Sequence, residues 1–452
     1  MLACTTAMTL RILSLQTSSR ALRSPATSRL AARVLLVGLL AGLLAGLLST
    51  RALAATVPTG EFRPGPEADL AIYKSTAAGG VVEALLARVQ RNEAQLEFST
   101  PHGYLPALLR ELKIPSSSQL LVASKTSPNK NYISPKNPRA LYFNDAVSLA
   151  YVPGADLIEI AATDPKLGVV FYTLEQKQAP RPKLTRDDRC LECHSSSKTL
   201  NVPGWMVRSF LTHGDGDVDV LSGLMVTHRT PITERWGGYY VTGDTGGQHH
   251  RGNLFGTEDA ARRGKAADAS TRVTDLSPYL DVRKYPESSS DVVALLVFDH
   301  QVQLMNLLTR LRLDTEALAE GDSLERTHPT TEAVLKYLLF VEEARLTAPV
   351  TGPSRFAREF ASLGPADSQG RSLHQFDLRT KLFKYPCSFM VYSPSFQALP
   401  LRAKRHLYRR LWQVLSGEDV SPEFQSLSVE TRTALRDILL ATKKDLPAYW
   451  RL

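Results

Sequence analysis

The chain has 452 residues, 43% of them hydrophobic and 22% charged, which excludes a disordered tail or a collagen-like rod and leaves ample length for a packed core. Its net charge of +9 invites a nucleic-acid reading. Residues 1–54, however, hold six arginines (Arg11, Arg20, Arg23, Arg29, Arg33, Arg51) and neither lysine nor acid, so the remainder carries only +3. Nucleic acid is therefore not expected as a partner.

Residues 1–54 read as a signal peptide. An Arg-bearing start leads into about fifteen apolar residues from Val34 to Leu48, the length of a signal h-region, and Ala52-Leu53-Ala54 offers small residues to a signal peptidase. That run is short for a membrane span, and no later stretch reads as one. The expected location is the periplasm; membrane attachment follows only if the segment stays uncleaved.

Residues 55–68, rich in proline, read as a linker. Val81–Leu96 and Tyr104–Leu112 have helical spacing. Five short β-branched or aromatic runs follow, at Leu120–Ala123, Ala140–Phe143, Val147–Val152, Leu157–Ala161 and Val169–Thr173, separated by turn residues. They predict an antiparallel sheet, and Val218–Val241 adds a second β-like region. Together these make a sheet-rich region over 69–255. Residues 256–290 are polar and read as an extended surface insertion. From Ser290, taken as an N-cap, residues 291–452 turn helical: Asp291–Arg310 as a buried core helix, then Thr331–Leu346, Lys404–Ser416 closed by Gly417, and Thr431–Thr442. The fold class is α+β, a sheet-rich N-terminal half packed with a helical C-terminal half.

Four cysteines are present, and Cys4 falls in the signal. Cys190 and Cys193 belong to Arg189-Cys190-Leu191-Glu192-Cys193-His194, the Cys-x-x-Cys-His pattern of c-type haem attachment. Two thiols at this spacing add across the two vinyl groups of one haem, and the histidine binds iron from one face. A thioredoxin-like pair would open a helix after a strand, whereas this one follows the polar, Pro-bearing stretch Gln176–Asp188. A zinc site would need further ligands, such as His213 or Cys387, and no second Cys-x-x-Cys supplies them. One covalent haem c is expected, with His194 as axial ligand.

The sixth iron position is open at this level. His300, a polar ring on a mostly apolar helix, and His250, in the glycine-rich loop Thr245–Asn253, are the imidazole candidates; His228 is a weaker one. Met206, Met225 and Met305 read as apolar packing. Trp236, in Trp236-Gly237-Gly238-Tyr239-Tyr240, could pave a haem edge, and Arg208, Arg235 and Arg251 are candidate partners of the haem propionates. Cys387 reads as a buried small hydrophobe. The cluster Arg402, Lys404, Arg405, Arg409, Arg410 reads as a solvated helix face, or as a docking surface for an acidic redox partner.

Several longer blocks resemble an uncharacterised family of large exported bacterial proteins with a single c-type cytochrome haem motif. They are Ser124–Ser127 with Ile133–Pro135 and Pro138–Asp145, then Arg235–Gly243, His250–Asn253 and Leu382–Ser388. The resemblance implies haem binding and export, and no particular substrate. The chain differs from small soluble cytochromes c in its mid-chain motif and in lacking a recognisable methionine-ligand loop. Di-haem peroxidases need two attachment sites, and this chain has one. The expected function is electron transfer in the periplasm with a redox partner protein. The alternatives are a haem c-dependent oxidoreductase with an open distal site and a small-molecule substrate, or a non-redox zinc or disulfide module.

Overall fold

A computed structural model describes residues 65–256 and 271–451. The expected signal peptide, most of the linker and residues 257–270 of the polar insertion lie outside the described residues.

Six strands in sequence order form one antiparallel meander: β1 (Leu120–Val122), β2 (Arg139–Phe143), β3 (Val147–Tyr151), β4 (Leu157–Asp164), β5 (Gly168–Glu175) and β6 (Leu184–Arg186). Register follows from the hydrophobic alternation, since a one-residue slip would turn every side chain to the other face. Pairs such as Leu141↔Ala150, Phe143↔Ser148, Glu159↔Thr173 and Ala161↔Phe171 put Arg139, Leu141, Phe143, Ser148, Ala150, Glu159, Ala161, Phe171 and Thr173 on one face. The other face carries Tyr142, Leu149, Tyr151, Ile158, Ile160, Val170, Tyr172 and Leu174, all buried. The helix Gly80–Gln90 packs on β4 from the N-terminal side of the chain. The first face is covered less completely, with Leu141, Ser148, Glu159 and Ala161 only half-buried.

The C-terminal half is helical, and the fold is α+β. Its centre is the helix Val292–Glu316, nearly all of it buried. The helices His328–Leu338, Phe356–Leu363 and Leu401–Ser416 pack on this central helix, and Val429–Thr442 packs on Leu401–Ser416. The most apolar window of Val292–Glu316 has a mean hydropathy of 1.4 and is 94% buried, so a segment long enough to cross a membrane serves here as core. Leu70–Gln90 also meets that length and apolarity, but it divides into Leu70–Ser75 and Gly80–Gln90, with Asp164 binding the Gly79 N–H at 2.5 Å between them. These two segments correct the expectation that no stretch beyond the signal is long and apolar enough to span.

The N-cap of the central helix is Asp291, not Ser290. The Asp291 carboxylate accepts from the N–H groups of Val293 (2.7 Å) and Ala294 (3.2 Å), one more donor than a serine hydroxyl usually satisfies. Ser290 instead joins the sheet edge to the helix, accepting from Leu121 N–H (2.9 Å) and donating to the Tyr240 carbonyl (2.6 Å). The described half of the polar insertion is likewise tied into the body. Arg272–Val273 pairs with Gly243–Asp244, and Leu276, Leu280 and Tyr285 are buried. The second β-like region contains one long strand, Val218–Met225, because Trp236–Val241 makes only isolated bridges and backbone bonds to β1 and its neighbours.

Candidate cofactor site

Past β6 the chain crosses the half-covered face of the sheet and makes a single helical turn, Leu191–His194. It then runs into a short ladder between β7 (Ser195–Ser196) and β8 (Val202–Pro203). Asp187 starts the turn. Its carboxylate receives the Arg189 N–H at 3.2 Å and pairs with the Arg189 guanidinium at 2.6 Å. This places Cys190, Cys193 and His194 within one turn, with the Cys190 thiol half-buried and that of Cys193 exposed, both unpaired.

His194 is oriented from both sides. Its ring lies 4.8 Å from that of Phe171 on β5, and its Nδ1 is 2.9 Å from the Gly204 carbonyl oxygen. A carbonyl can only accept, so Nδ1 carries the proton and Nε2 keeps its lone pair. This is the tautomer and the supporting bond that a metal-binding imidazole needs. Burial, opposed by the Gly204 bond, holds the ring below its ordinary pKa, and Arg139 adds to the lowering. The ring is therefore neutral and ready to donate its lone pair.

The Gly204 carbonyl is itself fixed by the central helix. Asn306 accepts from Trp205 N–H at 3.0 Å and donates to the Trp205 carbonyl at 2.8 Å. A Cβ on Gly204 would sit 2.3 Å from Asn306 Oδ1, so only glycine permits this approach. Gly204→Ala is expected to push the turn off Asn306, costing about 1–3 kcal/mol of stability in denaturant unfolding and releasing His194 from its carbonyl.

Cys190 does not resemble the attacking thiol of a dithiol oxidoreductase. Burial first, then the nearby Asp187 and Glu159 carboxylates, push its pKa up to about 12, the reverse of the lowering such enzymes need. Among the described residues no group of three or more His, Cys, Asp or Glu could hold a metal ion, so neither His213 nor Cys387 completes a zinc site with the motif. Cys387 is fully buried, and burial raises its thiol to about 12.

Two arginines border the motif. Arg208, on β9 (Arg208–Thr212), lies close enough to Cys193 for their charges to interact, and its guanidinium stacks 4.3 Å over the Phe210 ring. Arg139, on β2, lies within electrostatic reach of His194. Its position was not legible in the sequence, where the strand is read over Ala140–Phe143 and Arg139 merely precedes it.

The other expected site residues belong to a separate buried polar cluster. Arg235 pairs with Asp299 (3.2 Å), and Trp236 Nε1 donates to the same carboxylate oxygen (3.0 Å). Trp236 therefore paves the interior beneath the central helix. Arg235, bound also to the carbonyls of Thr230 (2.7 Å) and His228 (2.9 Å), is a core residue rather than a propionate partner. His300 uses both ring nitrogens, Nδ1 with His228 Nδ1 and Nε2 with Ser388 Oγ, each at 2.7 Å. That leaves it no lone pair for iron, which corrects its reading as a sixth ligand. His250 is buried edge-on against Trp236 at 5.4 Å, and its Nδ1 accepts the Gly252 N–H at 3.1 Å. Arg251 is half-buried and donates its backbone N–H to the Arg235 carbonyl. Met305 is buried in the central helix, whereas Met225, half-buried on β10 (Val218–Met225), stands directly opposite Arg208.

None of the family models, curated proteins or solved structures compared with this chain matches it.

Proposed function

We propose that the chain is an exported mono-haem c-type redox protein, with Cys190 and Cys193 forming the thioethers and His194 Nε2 binding the iron. The observation that carries this reading is the His194 geometry. On the same turn as two unpaired thiols, the imidazole is fixed through Nδ1 on the Gly204 carbonyl while Nε2 keeps its lone pair. The residues fit the group in two further ways. Leu141 and Ala161 leave a half-covered apolar strip on the motif's face of the sheet, and Arg208 holds a buried Nε with no hydrogen-bond partner beside Cys193. In attachment, each thiol adds across one vinyl group, sulfur going to one carbon and its proton to the other. The bound haem supplies an iron that exchanges one electron between ferrous and ferric.

Of the two roles open to such a group, electron transfer requires a second protein ligand. His300 is engaged at both nitrogens, so that ligand would fall to His250, the other imidazole candidate; without it the second reading applies, an oxidoreductase whose distal position is open to a small molecule. The test is the absorption spectrum of the chain produced in a host that attaches haem c, oxidised and reduced, with and without carbon monoxide. A covalent haem with a low-spin spectrum indifferent to carbon monoxide supports the electron carrier. A high-spin ferric form whose reduced state binds carbon monoxide supports the oxidoreductase. Colourless protein refutes both.

A further inference from the structure

We propose that Arg139 and Arg208 together form the carboxylate clamp for the haem, receiving its propionates on the side of the motif bordered by β2 and β9. This rests on the haem reading above and extends it to the way the group is oriented.

The case begins with unfilled donors. A guanidinium carries five N–H groups in a fixed fork, and taking it out of water is costly unless acceptors meet it. The Arg139 side chain is only 13% exposed, yet it makes no hydrogen bond among the described residues, and its Nε is buried without a partner. Its one ion pair among the described residues, Nη1 to Glu159 Oε2, is long at 3.7 Å and beyond hydrogen-bond range, so the fork's N–H groups stay without acceptors. Only Glu159 Oε1 is satisfied elsewhere, accepting from Ser127 Oγ and from Asn129 Nδ2; Oε2 is the oxygen that faces Arg139. Arg208 is in the same condition. It has no ion pair among the described residues, one 3.3 Å bond from Nη2 to the Gly223 carbonyl, and a buried Nε with no partner.

The fold holds both in place. Register sets Arg139 on the same sheet face as Phe171, against which His194 packs. Arg208 is folded over Phe210 because residue 223 is glycine; a Cβ there would lie 2.4 Å from both Arg208 Nη2 and the Phe210 ring. Tyr239 joins the two, interacting with the Arg208 backbone and lying within electrostatic range of Arg139. Two forks with vacant donors, one near His194 and the other near Cys193, match a ligand bearing two carboxylates that is anchored at those same residues.

The experiment compares the full chain with its Arg139→Gln, Arg208→Gln and double variants in a haem c-attaching host, with Arg405→Gln as a surface control. Covalent haem is read on a denaturing gel, the midpoint potential by redox titration, and propionate hydrogen bonding from the propionate-bending band in resonance Raman spectra. Removing a cation beside the iron favours the ferric state. The double variant should keep covalent haem, shift the ferric-to-ferrous ratio at fixed potential by about tenfold, which is about 59 mV for a one-electron couple, and displace the propionate band. The control should match the wild type. A double variant with wild-type potential and band overturns the clamp, and so does a potential shift with an unmoved band, which would mean charge acting at a distance. Arg208 lies on a two-stranded ribbon outside the main sheet, so its single variant decides the matter if Arg139→Gln fails to accumulate. Wild-type protein without covalent haem refutes the haem reading instead.

Discussion

Replacing Cys190 and Cys193 together by serine is expected to abolish covalent haem, reducing the haem-stained signal on a denaturing gel to background, while the protein still folds. The effect is all-or-none because serine oxygen does not form the thioether, whatever the fit of the surrounding groove. Stability should change by less than about 1 kcal/mol, since Cys193 is exposed, Cys190 is half-buried, and serine replaces each with little change of volume. Single variants should keep one thioether and remain stained, with the reduced absorption band displaced toward that of a haem retaining one vinyl group. A double variant that stains like the wild type would refute the attachment site. His194→Ala should leave both thioethers in place and change the spin state.

The second large effect belongs to the buried ion pair. Asp299→Ala is expected to destabilise the fold by about 3–5 kcal/mol in denaturant unfolding, because it leaves the Arg235 guanidinium charged in the interior with only carbonyl partners. Asp299→Asn keeps an acceptor for Trp236 Nε1 and should cost less. The pair also gives a signed pH dependence. Burial raises Asp299 from 3.8 to about 7, against the opposing pull of Arg235 and of the Trp236 and Arg235 hydrogen bonds. A carboxyl whose folded pKa lies above its unfolded value contributes stability that is complete below the unfolded value and is lost as pH rises through the folded one. The deficit of Asp299→Asn relative to the wild type should therefore shrink between about pH 4 and about pH 7. A deficit that stays constant over that range would show that the carboxylate is ionised throughout.

Local features were legible in the sequence and long-range ones were not. The strands from Leu120 to Glu175 could be read because each is a short β-branched run between turn residues, and their order needs no crossover. Leu184–Arg186 was missed because three residues give no alternation; it is a strand only because β5 offers it an edge. Phe356–Leu363 was missed because two helical turns, amphipathic though they are, make too short a run to be told from a loop. The Cys-x-x-Cys-His pattern was legible because it sits in five consecutive residues. What supports it was not. Gly204, Asn306 and Arg139 join the motif through a turn, a helix and a sheet register, all distant in sequence from one another. His300 shows the converse error. A histidine on an apolar helix does need a partner, but that partner is His228, 72 residues earlier, together with Ser388, and the sequence does not reveal such a pairing.

The meander has a consequence for the order in which the molecule is made. Each of its strands pairs with the next, so its contacts are local in sequence, the topology that closes quickly. All six strands and the Cys190–His194 turn precede the helix Val292–Glu316 by about a hundred residues of chain. As the polypeptide emerges, the sheet and its cysteines can therefore come together while the helix that fixes Gly204 is still missing. Anything joined to those thiols is attached in that interval against a looser turn, before Asn306 fixes the Gly204 carbonyl that orients His194.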